Sequence, residues 1–145
     1  MALRDRLRGI LRIKDTPHRL AIAFAVGVFI GMSPLLGLHT VLGIALAWIF
    51  RWNKIVTMTG VFVTNPWTIV PIYTFSTWVG AKCLGVTNII PDIDWSNIRF
   101  VSILSELESL LIPFILGTTL VGLISAILGY FIIYSAVKKA HKYAK

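Results

Sequence analysis

Acidic side chains are scarce, six Asp and Glu against fourteen Lys and Arg, and from Leu20 to Phe50 there is no charged side chain of either sign. Cysteine occurs once, at Cys83, which excludes an intrachain disulfide and reads as a buried thiol in an apolar helix. The three histidines, His18, His39 and His141, have no ligand spacing among themselves, so neither a metal nor any other cofactor is expected. The carboxylate pairs Asp92/Asp94 and Glu106/Glu108 have no His or nucleophile nearby and read as a solvated face. No catalytic residue is assigned, and an enzyme is not expected.

What the chain has in place of charge is apolar surface. Hydrophobic residues make up 57% of it and charged ones 14%, with a mean hydropathy of +0.81. A water-soluble domain of 145 residues built this way has too little polar surface to cover itself. The uncharged run of 31 residues from Leu20 to Phe50 is also too long for one upright span. A hydrocarbon core of about 30 Å takes about 20 helical residues. Ser33-Pro34 interrupts the run near its middle, so it must kink or turn back inside the bilayer.

The net charge of +8 collects at the two ends of the chain. Residues 1–19 carry six basic and two acidic side chains, and Lys138, Lys139, Lys142 and Lys145 close the sequence, which places both termini in the cytoplasm. Residues 85–109 hold Asp92, Asp94, Glu106 and Glu108 and are expected on the opposite face. Residues 2–14 read as an amphipathic helix, with Leu3, Leu7, Ile10 and Leu11 on one side and Arg4, Arg8 and Arg12 on another. That helix suits the surface of an anionic leaflet, so membrane lipids, anionic phospholipid foremost, are the expected partners and nucleic acid is not. No cleavable signal peptide is evident.

One pattern is used twice. Residues 27–34 read GVFIGMSP and residues 60–66 read GVFVTNP. In each copy an apolar half-helix meets Ser-Pro or Asn-Pro before a second apolar half-helix, which divides residues 20–50 and 54–84 into two broken units. Ser33 and Asn65 are expected N-caps, with Pro34 and Pro66 at the first helical position, where a missing N–H is harmless. Two helix N-termini facing one another inside the membrane would suit an anion or a polar headgroup. Gly31 and Gly37 make the first unit a candidate hairpin, whereas the second, with no glycine at its break and Pro71 in its latter half, reads as a bent crossing. His39 lies in an uncharged stretch and is expected to be neutral and bonded to a backbone carbonyl.

Residues 85–109 are read as an interfacial segment containing a helix, residues 110–137 as a final transmembrane helix without a charge, and residues 138–145 as a basic tail. Thr118, Gly122, Ser125 and Gly129 form a small-residue stripe on that last helix, and Gly27 and Gly31 have GxxxG spacing; both predict close helix packing. The fold class is therefore an all-α integral membrane protein: one membrane domain over residues 20–137, with two Pro-broken units that re-enter or kink, an interfacial helix and a final span. So small a unit encloses little, which makes a homo-oligomer plausible.

Asn65, Pro66, Thr68, Pro71 and Tyr73, together with Gly27, Gly31, Pro34, Gly37, His39 and Thr40, resemble the bacterial family called domain of unknown function 2062, over roughly residues 15–137. The resemblance implies an integral membrane protein of the bacterial inner membrane. Some relatives are joined to sugar-transferase or methyltransferase domains, and no activity, substrate or catalytic residue comes with the resemblance. Ser33, Pro34, His39, Asn65, Pro66, Thr68 and Tyr73 are the expected binding residues. The expected role is transport or lipid handling, with an anionic headgroup or small polar solute bound at the paired breaks. The alternative is a non-transporting scaffold for membrane-associated enzymes.

Overall fold

A computed structural model describes residues 15–35, 37–88, 96 and 99–143. The amphipathic segment 2–14 with Arg4, Arg8 and Arg12, and the pair Asp92 and Asp94, lie outside those residues. Five helices run along the described chain: α1 Pro17–Met32, α2 His39–Ile49, α3 Lys54–Val61, α4 Ile69–Leu84 and α5 Phe100–Tyr143.

Helix α1 opens on Thr16-Pro17: the Thr16 hydroxyl accepts from the Arg19 N–H at 3.3 Å, and Pro17 begins the helix. It stops at Ser33, whose extended backbone (φ −65°, ψ 153°) is what a following proline imposes. Gly37 then takes a left-handed φ of 83°, and α2 begins at His39. At the far end of α2 the Trp52 N–H bonds the Ala47 carbonyl at 2.8 Å and the Arg51 N–H bonds Trp48 at 3.3 Å, a Schellman stop with Arg51 in the left-handed position. One Arg19 guanidinium nitrogen donates to the Arg51 carbonyl at 2.8 Å. Residues at opposite ends of the first unit therefore touch, and the unit doubles back on itself.

The second unit does not double back. Asn53 caps α3 by accepting from the Ile55 and Val56 N–H groups at 3.0 and 3.2 Å. Helix α3 then runs parallel to α1, with Gly27 against Thr57 and Gly60, and Gly31 against Val61. The two glycines that open the repeated pattern face each other: a methyl group on Gly27 would lie 3.1 Å from the Gly60 Cα. After the break at residues 62–68, α4 starts beside Ser33 and continues away from the Arg19–Arg51 end. It stops at Gly85 (φ 70°) with a second Schellman pair, Val86 N–H to Ala81 O at 2.9 Å and Gly85 N–H to Lys82 O at 3.3 Å.

Helix α5 returns along both units. Its Pro113 and Gly117 meet Gly80 and Ser76 of α4, its Gly122 meets Met32 and Phe29, and its Gly129 meets Phe24. Lower still, the Tyr130 hydroxyl is 2.7 Å from the His18 Nδ1. Gly122 and Gly129 of the expected small-residue stripe thus serve contact within the chain, and Gly27 and Gly31 do so on α3. The separate interfacial helix and final span are corrected to one element of 44 residues, about 66 Å long at 1.5 Å per residue. The composition changes after Glu108, but the backbone has no reason to stop there. Pro113 deprives only the Ser109 carbonyl of a donor, and Ser109 directs its own hydroxyl to the Glu106 carbonyl at 2.7 Å.

Small residues fill the interior and large apolar ones cover the outside. Ala21, Ala23, Ala47, Val61 and Ala81 are fully buried, while Trp48, Trp67, Val101 and Ile132 are exposed, as is Cys83, a correction to the buried thiol that the sequence predicts. The part of α5 from Ser105 to Tyr143 is long and apolar enough to cross a membrane; α1 and α2 are apolar but shorter.

Candidate functional site at the paired helix breaks

Residues 65–73 read NPWTIVPIY, and Asn65, Thr68, Pro71 and Tyr73 each have a mechanical part. The Asn65 side-chain oxygen accepts from the Trp67 N–H at 2.9 Å and the Thr68 N–H at 3.1 Å. In return the Asn65 N–H donates to the Thr68 hydroxyl oxygen at 2.9 Å, a reciprocal capping box in which threonine takes the place usual for Glu or Gln. The Asn65 carbonyl accepts the first helical bond, from Ile69 at 2.8 Å. Asn65 therefore caps the turn 66–68, whereas α4 itself begins at Ile69 with Thr68 in the N-cap position and no side-chain cap bond there, so the expected places of Asn65 as helix N-cap and Pro66 as first helical residue are corrected. Pro66 sits in the turn 66–68 leading into α4. Pro71 falls in the first turn of α4, where the lost N–H matters least.

Tyr73 carries the motif across to the other unit. Its hydroxyl donates to the Ser33 carbonyl at 3.0 Å, and its ring meets Phe114 of α5 edge-on, with centroids 5.0 Å apart. One side chain of α4 thereby joins the first break and the last helix.

At the first break the sequence reading needs correcting. Ser33 is not the N-cap of the following half-helix, and Pro34 is not its first residue. Ser33 closes α1, with both its N–H and its hydroxyl bonded to the Ile30 carbonyl at 3.1 and 2.6 Å. The left-handed turn at Gly37 delays α2 to His39, where the N-cap position is Leu38 with no side-chain bond. His39 Nδ1 lies 3.4 Å from the Leu35 carbonyl, the backbone partner expected for a neutral imidazole. Each break thus joins the carboxyl end of one half-helix to the amino end of the next. Neither N-cap position, Leu38 of α2 or Thr68 of α4, has a side-chain cap; at α4 the preceding turn is closed by Asn65.

Sequence reasoning missed two caps, Thr16 and Asn53, although Thr16-Pro17 shows the same signature that was read at Ser33-Pro34. It also passed over two buried hydroxyls. Thr64, 4% exposed beside the second break, and Ser76, 1% exposed at the crossing of α4 and α5, have no hydrogen-bond partner among the described residues. A buried orphan hydroxyl calls for an explanation, a bound water or polar ligand among them. Among the described residues no three His, Cys, Asp or Glu side chains form a group able to hold a metal ion.

These elements define an all-helical chain in which two broken helical units are clasped by one long apolar helix. The family model described as "Uncharacterized protein conserved in bacteria (DUF2062)" matches residues 1–145, and the chain belongs to that family. No curated protein and no solved structure matches it.

Proposed function

We propose that this protein is a multi-pass protein of the bacterial inner membrane that handles an anionic lipid headgroup or a small polar solute at its paired helix breaks. In this reading the α1–α2 hairpin re-enters from the cytoplasmic side, α3 and α4 cross as one bent span, and α5 returns, leaving both termini in the cytoplasm. Small residues inside with large apolar ones outside suit a lipid solvent. The charge pattern suits the parity, because one returning and one continuing unit bring the end of α4 to the side opposite the lysine tail.

The observation that carries the binding role is the Tyr73–Ser33 bond, which brings both breaks to one level of the bundle, with the unpartnered Thr64 hydroxyl buried in the second. Irregular backbone at membrane depth is tolerated where protein or a polar cavity covers it, and such places are common binding sites. Native mass spectrometry of lipid binding across an ionic-strength series tests this. A component of binding that salt weakens little should be reduced by Thr64→Val and by Tyr73→Phe. Neutral lipids binding as well as anionic ones at every salt would leave the reading without a site.

A scaffold role is the second reading, and a specific observation favours it. Ser33, Asn65 and Thr68 bond to the chain itself, so these caps need no ligand. A scaffold would retain function in Thr64→Val and lose it on changes to the exposed surface.

A further inference from the structure

The corner where α2 turns into α3 breaks two local rules at once. Arg51 occupies a left-handed position (φ 56°) where glycine or asparagine is the ordinary choice, since a Cβ there crowds the following carbonyl. Three residues on, Lys54 is the first residue of α3, a helix with no acidic residue in its first turn, so its charge sits at the positive end of the helix dipole. A third cation is fixed at the same corner, because the Arg19 guanidinium bonds the Arg51 carbonyl at 2.8 Å. Among the described residues Asp15 is the one acidic group paired with any of the three, 4.0 Å from the Arg19 Nε. The Arg51 and Lys54 side chains are exposed and pair with nothing among the described residues. Local rules broken together, each in the direction of more positive charge, mark a place held for something other than stability.

We propose that Arg19, Arg51 and Lys54 form a binding site for a phosphate group. The left-handed turn holds Arg51 and Lys54 on one short corner, and Arg19 reaches that corner from the start of α1. A guanidinium offers a phosphate two parallel N–H donors, and the ammonium adds a point charge. The neighbouring aromatic pair Phe50 and Trp52, stacked at 4.7 Å, suits the level of lipid headgroups. The phosphate of an anionic phospholipid and a free phosphate ester present the same chemistry. The site is separate from the paired breaks; only a lipid source for the phosphate rests on the membrane reading.

The test uses the full chain in neutral detergent. Binding of a short-chain phosphatidylglycerol and of the matching phosphatidylcholine is measured by native mass spectrometry for the wild type and two double variants. Arg51→Gln with Lys54→Gln should weaken phosphatidylglycerol binding by about tenfold. Lys139→Gln with Lys142→Gln, which removes the same charge from the tail, should change it by less than about twofold. Arg51→Gly keeps the turn while removing the guanidinium, so its binding loss is read on a folded protein should the double variant unfold. Inorganic phosphate is then added as competitor: displacement of the lipid in the wild type assigns the site to phosphate from any source, and no displacement at millimolar concentration assigns it to the lipid. Equal weakening in both double variants, or phosphatidylcholine binding as tightly as phosphatidylglycerol, would overturn the proposal. Equal weakening in both double variants leaves the Thr64 and Tyr73 test of the breaks standing, whereas loss of the preference for phosphatidylglycerol at every salt fails both.

Discussion

The Tyr73 hydroxyl donates to the Ser33 carbonyl at 3.0 Å, across 40 positions of sequence, and so ties the carboxyl end of α1 to the first turns of α4. Tyr73→Phe keeps the ring on Phe114 and deletes only that bond. The expected loss is about 1 kcal/mol, rising toward 2 to 3 if the Ser33 carbonyl is left dry and unpaired. Thermal unfolding in detergent measures it, and an unchanged midpoint would show that the bond contributes nothing.

Asn65→Ala removes a cap that closes two N–H groups at once. It should cost about 1 to 2 kcal/mol. Thr59→Ala, on the exposed side of α3, loses only a hydroxyl bonded to its own helix and should cost close to nothing. Equal midpoints for the two variants would count against the capping box.

Glycines in this chain answer to two different constraints, and substitution separates them. Gly60→Ala places a methyl group against the Phe24 carbonyl and the Val28 N–H of α1, so α1 and α3 must part, at about 1 to 3 kcal/mol. Gly37 has open space around it, and only its φ of 83° resists a side chain. Gly37→Asn should therefore be milder than Gly37→Val, because asparagine tolerates the left-handed region. A similar penalty for both would point to crowding instead of backbone conformation.

Arg51→Gly should stabilise the fold by about 1 kcal/mol, the cost of holding an L-residue left-handed, while weakening phosphate binding. Opposite signs in the two measurements are the expected signature. A fall in both would mean that the Arg51 side chain holds the fold together.

Topology is read with single cysteines at Ser96 and Ser135 in a Cys83→Ser background. An impermeant thiol reagent on intact cells should label the cysteine at position 96 and spare the one at position 135. The reverse pattern would invert the proposed orientation.

Much of this arrangement is legible in the letters, and what is not has local causes. Gly37 announces a reversal, its absence from the second break announces a continuation, and the Arg19–Arg51 contact agrees with that contrast. Asn65-Pro66 makes a capped turn, but the helix waits until Ile69. Ser33-Pro34 has the same appearance but a different outcome, since the left-handed turn three residues later resets the backbone. The union of residues 100–109 with the last span is hidden because polarity changes at Glu108 while helical hydrogen bonding does not. Partners such as Tyr73 and Ser33 are not readable from either local sequence, because packing of α4 on α5 brings them together.

The bond between His18 and Tyr130 joins positions 112 apart, and this sets an order on the making of the protein. Residues 17–61 can assemble early, since the Gly27–Gly60 contact needs nothing that follows. The face of α1 that carries Phe24, Phe29 and Met32 must wait for α5. At about 5 to 20 residues per second, a ribosome needs roughly 6 to 22 s to travel from His18 to Tyr130. For that interval the nascent hairpin stands half dressed, its glycine seam closed and its Phe24, Phe29 and Met32 face open. Whatever attends the nascent chain meets that open face first, before the last helix arrives to close it.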